Sequence, residues 1–141
     1  MADCAERSTP CYCTALRRAA RAVTKLYDAA LEPGGLKVTQ FSLLRNVQRL
    51  GPVTFAALSG VVQLERTTLI RNLDVLVRQG LLEMRPNPPS RAHLICLTHK
   101  GEAEIEKNNP AWEAAQNAME TVLTGEERRF LRSVLKKLQQ V

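Results

Sequence analysis

Seven side chains in two short stretches are suited to gripping a polyanion. Arg66, Thr67, Thr68, Arg71 and Asn72 share a segment whose apolar residues recur as Leu69, Leu73 and Leu76. That i, i+4, i+7 spacing predicts a helix with one inward face, leaving Thr67, Arg71, Asp74 and Arg78 as an outward stripe. Arginine can take guanine O6 and N7 together, asparagine can pair bidentately with adenine, and threonine can meet a thymine methyl or a phosphate. Arg85 and Arg91 lie on either side of Pro86-Asn87-Pro88-Pro89-Ser90. Such a tip neither extends a sheet nor forms a helix. Its rigidity lowers the ordering cost of docking, and arginine is favoured by the negative potential of a minor groove or phosphate rail.

A second chemistry is available near the N-terminus. Cys11 and Cys13 fall in or just before the first turn of the first predicted helix, and Arg17 follows Cys13 by four residues. A helix start and a nearby arginine both favour the thiolate, which makes Cys13 a candidate reactive cysteine; the plainer use of such a thiol is a small apolar contact. In a regular helix, residues i and i+2 project about 200° apart. A Cys11–Cys13 disulfide, whose geometry is strict, therefore requires the first turn to unwind. One thiol would become a sulfenic acid and the other would resolve it. Cys96, on a predicted strand, reads as packing, and Cys4 as a further resolving thiol.

The elements that must hold these groups can be read from caps and breaks. Thr9-Pro10 predicts a helix start, and Leu16, Ala19, Val23, Leu26, Tyr27 and Ala30 recur at helical spacing up to Glu32-Pro33-Gly34-Gly35. Thr39 is a candidate cap for a second helix ending at Gly51-Pro52, and Thr54 for a short third helix through Leu58. The arginine-bearing helix follows the turn Gly60 to Leu64, with Glu65 near its positive end. Leu82 to Arg85 and Ala92 to Leu97 read as strands. Thr98 caps a helix running past Pro110 to about Leu123, and Thr124-Gly125-Glu126-Glu127 is a capping box opening a last helix through Leu138. The fold class is mainly α with a small β-wing: a winged helix-turn-helix over 36–97, which places one helix in a DNA major groove and a basic wing beside it. Residues 1–35 and 98–141 supply flanking helices. Their apolar faces (Val23, Leu26, Ile105, Trp112, Met119, Val122, Leu131, Val134, Leu135, Leu138) exceed what the central unit needs covered and predict a homodimer.

Bulk properties agree with that reading. With 141 residues and 45% apolar composition the chain is one globular domain. Its net charge of +6 favours an acidic partner. The charged N-terminus does not resemble an export signal, and no apolar run approaches the roughly 20 residues that span a bilayer. A cytoplasmic location with reduced thiols is expected. Cys4, Cys11 and Cys13 with His93 or His99 do not have the spacing of a zinc motif, so no metal is expected. No base lies beside a thiol and no glycine-rich phosphate loop is present, so the chain reads as a non-enzyme without a cofactor. A winged helix that binds protein rather than DNA is the alternative.

The order of helices, Gly80-Leu81-Leu82, and the Arg91-Ala92 … Leu97-Thr98 … Gly101 ending resemble MarR-family transcription regulators from about Cys13 to Leu138. That resemblance implies a homodimer on double-stranded DNA, at a palindromic operator, usually as a repressor. The wing Asp common in the family would fall two residues before Arg91, where this chain has Pro89. Cys13-x-Ala15-Leu16, Thr24-Lys25-x-Tyr27 and Gln40 are similar to the hydroperoxide-sensing, OhrR-like branch. There a cysteine at the position of Cys13 is oxidised and a tyrosine at that of Tyr27 contacts it from the partner; a second tyrosine of that branch falls on Val38. A small aromatic or phenolic ligand, as many MarR relatives bind, is the competing signal.

Overall fold

A computed structural model describes residues 10–141. Six α-helices and three strands follow one another as α1 Tyr12–Leu31, a 3-10 turn Glu32–Gly34, α2 Val38–Leu50, β1 Val53–Thr54, α3 Phe55–Val62, α4 Arg66–Arg78, β2 Leu82–Arg85, β3 Leu94–Leu97, α5 His99–Val122 and α6 Gly125–Leu138. The strands form one antiparallel sheet in the order β1-β3-β2. The fold is a winged helix.

Local signals set most boundaries. The Thr54 hydroxyl accepts from the Ala57 N–H at 3.2 Å, Thr98 from Gly101 at 3.0 Å, and Thr124 from Glu127 at 3.2 Å. Each satisfies an N–H that a helix start leaves without a partner. At Thr124 the Glu127 carboxylate returns to the Thr124 N–H at 2.8 Å, completing the predicted box.

Elsewhere tertiary contacts shifted the expected boundaries. The first helix starts at Tyr12 with Cys11 as N-cap, and Pro10 sits in a bend before it; Thr9 and Cys4 lie outside the described residues. Thr39 is not a cap but lies inside α2, whose N-cap is Lys37. Two other groups serve that helix start: Gln40 Oε1 accepts from the Lys37 N–H at 3.1 Å, and Asp28 Oδ1, from α1, accepts from the Val38 N–H at 2.8 Å. The third helix runs past Gly60 to Val62 and stops where Gln63 turns left-handed (φ 52°). A helical glycine costs about 1 kcal/mol, which tertiary packing outweighs here. β3 starts at Leu94 rather than Ala92, because Ser90 Oγ takes the Ala92 N–H at 3.1 Å. β1 had no sequence signal; two residues are too few for a pattern, and they form a strand by pairing Val53 with Ile95 and Thr54 with Leu94.

The core lies beneath α2, α4 and the sheet: Leu31, Leu36, Phe41, Leu44, Val47, Leu58, Leu69, Leu76, Leu82 and Ile95 are buried. Ile105 is part of it and Trp112 packs against it, 6.3 Å from the Phe41 ring. Those two side chains serve the chain's own interior, not the outer faces to which the sequence assigned them. Leu26, Val122, Leu131, Leu135 and Leu138 remain exposed.

Candidate nucleic-acid interface

The reading head is a helix held by its leucines. Leu69, Leu73 and Leu76 of α4 are buried, each worth roughly 1.5–3 kcal/mol when fully removed from water. That fixes the rotation of α4, so Thr67, Arg71, Asp74 and Arg78 face out, as their spacing predicts. The N-terminus of α4 follows α3 through Gln63, Leu64 and Glu65, a helix-turn-helix. The Arg66 guanidinium lies 4.9 Å from the centre of the Phe55 ring at the start of α3. This cation–π contact pins the exposed arginine across the two helices. Thr68 and Asn72 are half-buried, and Asn72 Nδ2 donates to the Thr68 carbonyl at 2.9 Å. One of the amide's two donors therefore serves its own helix, while Arg66, Thr67 and Arg71 form the outermost set.

The wing stands beside this helix. β2 and β3 pair Glu83 with Cys96 and Arg85 with Leu94, so Arg85 ends the ladder at the base of the tip. Its Nε donates to Glu83 Oε1 at 2.8 Å and Nη2 meets the same oxygen. Arg91 is exposed in the tip, past a cis Pro88–Pro89 peptide. The wing is tied down at its root. Thr98 Oγ1 donates to the Gly80 carbonyl at 2.6 Å and lies 3.1 Å from that of Leu81, while Lys100 Nζ donates to the Gln79 carbonyl at 2.8 Å. The end of α4, the start of β2 and the start of α5 thus form one polar knot.

The thiols lie at the start of α1. Cys11 and Cys13 are both exposed, at the N-cap and in the first turn of α1. Cys11 has an extended backbone (φ −78°, ψ 110°). Hydrogen bonds from the Thr14 hydroxyl and N–H, and from the Cys13 N–H, hold the Cys11 thiol below its ordinary range. Arg17 is exposed one turn beyond Cys13. Tyr27 is half-buried near the far end of α1, where its OH donates to Gln116 Oε1 of α5. Burial, then the Glu120 carboxylate, pushes its phenol up.

Comparison with known proteins decides the family. Residues 36–101 match the family model of a winged helix DNA-binding domain. The multiple antibiotic resistance protein MarR of Salmonella typhimurium is 32% identical over 117 residues, covering 81% of each chain. The M. tuberculosis transcriptional regulator MosR, solved in complex with DNA, is 38% identical, with a TM-score of 0.81 over 92% of this chain and 95% of that one. A mutant MarR from E. coli complexed with operator DNA is 27% identical, with a TM-score of 0.82 over 89% and 91% of the two chains. The chain belongs to the MarR family. It is a DNA-binding transcriptional regulator of that family, and MarR-type proteins are regulators rather than enzymes.

Two features of this MarR-family chain escaped the sequence reading. Arg45 of α2 stacks 4.4 Å from the Trp112 ring centre and 5.8 Å from that of Phe41. With Ser42, Asn46 and Arg49 they border an open cavity of about 510 Å³ between α2 and α5. Arg45 and Arg49 at i, i+4 were a visible signal, but nothing local pairs them with Trp112. Asp28, the acceptor for the α2 start, was also missed, because its partner is ten residues away across a turn. Among the described residues no cluster of three metal-ligating side chains occurs, and no helix is long and apolar enough to cross a membrane.

Proposed function

We propose that this MarR-family regulator is a cytoplasmic homodimeric repressor that grips a palindromic operator and lets go when its N-terminal thiols are oxidised. The observation that carries the DNA reading is the locked rotation of α4, which holds Arg66, Thr67 and Arg71 outward beside an arginine-bearing wing. Thr68 and Asn72 complete the α4 set at its margin. Arg71 reads a base edge, while Arg66, Arg85 and Arg91 seat on phosphates or in the minor groove. Residues 36–97 form the DNA-binding unit. The helices of 1–35 and 98–141 pair two copies through Leu131, Leu135 and Leu138, apolar residues left exposed on α6. Two half-sites one helical turn apart follow from that symmetry. Footprinting on duplexes selected from random sequence tests this; a single unpaired site, or no duplex affinity that falls with salt, overturns it.

The thiol switch uses the start of α1 as the OhrR-like branch does, but with Cys11, whose surroundings favour the thiolate, as the nucleophile in place of Cys13. The Cys11 thiolate attacks an alkyl hydroperoxide; an S–O bond forms, the O–O bond breaks and the alcohol leaves. The Cys13 thiol then attacks the sulfenic sulfur, an S–S bond forms and water leaves. Two thiols lose two electrons and the peroxide gains them. Because Cys11 lies outside the helix in extended backbone, only the first turn beyond it must open. Wild type treated with hydroperoxide should lose two hydrogens, seen by mass spectrometry on the peptide carrying Cys11 and Cys13. It should also release the duplex reversibly, and a Cys11→Ser, Cys13→Ser protein should do neither.

The Arg45–Trp112 cavity supports a second signal, a small aromatic acid whose ring would replace Arg45 on the indole and whose carboxylate would meet Arg45 or Arg49. Trp112 is the only tryptophan, so titration with aromatic acids should quench its fluorescence, and the double substitution Arg45→Ala, Arg49→Ala should abolish that response.

A further inference from the structure

We propose that Asp28 is the joint through which the state of α1 sets the placement of the DNA-binding unit. At 1.5 Å per residue its 20 residues make α1 about 30 Å long. From Cys11 to Ala22 its side chains are exposed, except half-buried Thr14. The helix is most enclosed at its C-terminal end, where Tyr27 and Asp28 are half-buried and Leu31 is buried, while nearer its start Leu16 and Ala19 border a cavity with Val134 and Leu138 of α6. At the C-terminal end Tyr27 links to Gln116 of α5, and Asp28 Oδ1 accepts from the Val38 N–H of α2 at 2.8 Å.

The second link matters for DNA. Val38 is the first residue of α2, and its N–H is one of the groups a helix start cannot satisfy internally. A carboxylate there also meets the positive end of the helix. The covalent connection between the helices is a 3-10 turn, Glu32–Gly34, closed by the Gly35 N–H on the Glu32 carbonyl at 2.9 Å with Gly35 at φ 79°. Beyond the bond, α2 sends Phe41, Leu43, Leu44 and Val47 into the core that also holds the leucines of α4. A rotation or slide of α1 must therefore break the Asp28 bond or carry α2, and with it α4. Asp28 lies on neither α4 nor the wing; it is a positioning residue. The trigger rests on the thiol reading above.

The test uses the full-length protein and two substitutions that remove the bond from opposite sides. Asp28→Ala deletes the acceptor. Val38→Pro deletes the donor at a first helical position, where proline fits, and Lys37 before it already has the extended backbone that proline asks for (φ −92°, ψ 155°). Duplex affinity is measured by fluorescence anisotropy on reduced and hydroperoxide-treated samples, with thiol loss followed by mass spectrometry. In wild type the reduced-to-oxidised affinity ratio should fall in the range of about 5–150 usual for coupled sites. Both variants should lose thiols at the wild-type rate and bind duplex when reduced, with that ratio collapsed towards one. Asp28→Asn, which keeps an acceptor oxygen, should retain the ratio. A merely structural role would lower affinity in both redox states and leave the ratio standing. If wild type switches and a folded Asp28→Ala or Val38→Pro protein switches as fully, the joint falls and the thiol reading stands. If wild type itself does not switch, both fall.

Discussion

Adding one methyl group at Gly101 should loosen the root of the wing. Gly101 is buried in the first turn of α5, where a Cβ would stand 2.2 Å from the Leu81 carbonyl oxygen and 2.6 Å from Leu97 Cδ1. The leucine methyl can swing away. The carbonyl cannot, because it accepts the Thr98 N–H at 3.2 Å and lies in the same knot as the Thr98 hydroxyl. Replacing a helical glycine by alanine gains about 1 kcal/mol of propensity. Overpacking costs roughly 1–3 kcal/mol, and more where backbone must move, and weakening the Thr98 cap costs about another 1 kcal/mol. The net expectation for Gly101→Ala is a loss of about 1–3 kcal/mol, lowering Tm by roughly 2–4 °C for each kcal/mol in a chain near this size. Gly60→Ala is the control. Nothing lies within 4 Å of a Cβ at Gly60 in α3, so only the propensity gain applies and Tm should rise. Both are read by thermal unfolding followed by circular dichroism, with duplex affinity measured well below the transition. If Gly101→Ala is as stable as Gly60→Ala, the close approach of α5 to the start of β2 is not there and the wing is not anchored as described.

Three further outcomes follow from the same geometry. Arg71→Ala should lose roughly 1–3 kcal/mol of operator binding and relax sequence preference at one position, while Arg91→Ala should weaken operator and unrelated duplex alike and flatten the salt dependence; selection and titration on both duplexes separate the two roles. Tyr27 titrates above its ordinary range in the folded chain, so its contribution to stability is complete below pH about 10, the unfolded value, and is lost as pH rises through the folded one. Tyr27→Phe should therefore unfold with a shallower alkaline loss than wild type, and a steeper one would reverse the sign. Thr124→Ala removes the acceptor for the Glu127 N–H and should cost about 1 kcal/mol, visible as a lower urea midpoint at unchanged slope.

What the sequence disclosed divides along a physical line. Thr54, Thr98 and Thr124 are caps whose partners lie three residues on, and the leucines of α4 repeat within one helix, so all could be read directly. Lys37 replaces Thr39 as the second N-cap because a carboxylate ten residues upstream meets the helix start. β1 exists only because β3 passes beside it. Trp112 and Ile105 have the spacing of an outer face, yet the approach of α5 to α2 draws them inward. The site follows the same rule. That Arg66 and Arg71 point outward was readable from their own helix, whereas the stacking of Arg66 on Phe55, the tie of Arg85 to Glu83 and the turning of Asn72 onto Thr68 depend on where other groups end up in three dimensions.

Charge shows the limit of composition most clearly. The net +6 pointed to nucleic acid, and residues 36–98 do hold eight Lys and Arg against three Asp and Glu. Yet α1 and α6 carry nine more basic residues, and α5 carries two against five acidic ones. A whole-chain charge cannot tell these apart; screening can. At physiological salt a charge more than about 8 Å from a phosphate contributes little to holding it. If α4 and the wing alone meet the duplex, two copies of Arg66, Arg85 and Arg91 displace counterions from about six phosphates, and log affinity should fall against log salt with a slope near −5. A slope steeper than about −14, the most that two copies of the eight basic residues of 36–98 could give, would mean that the basic stripes of α1 and α6 also lie on DNA. The duplex would then wrap the molecule, and the account of α1 as a lever remote from its operator would have to be abandoned.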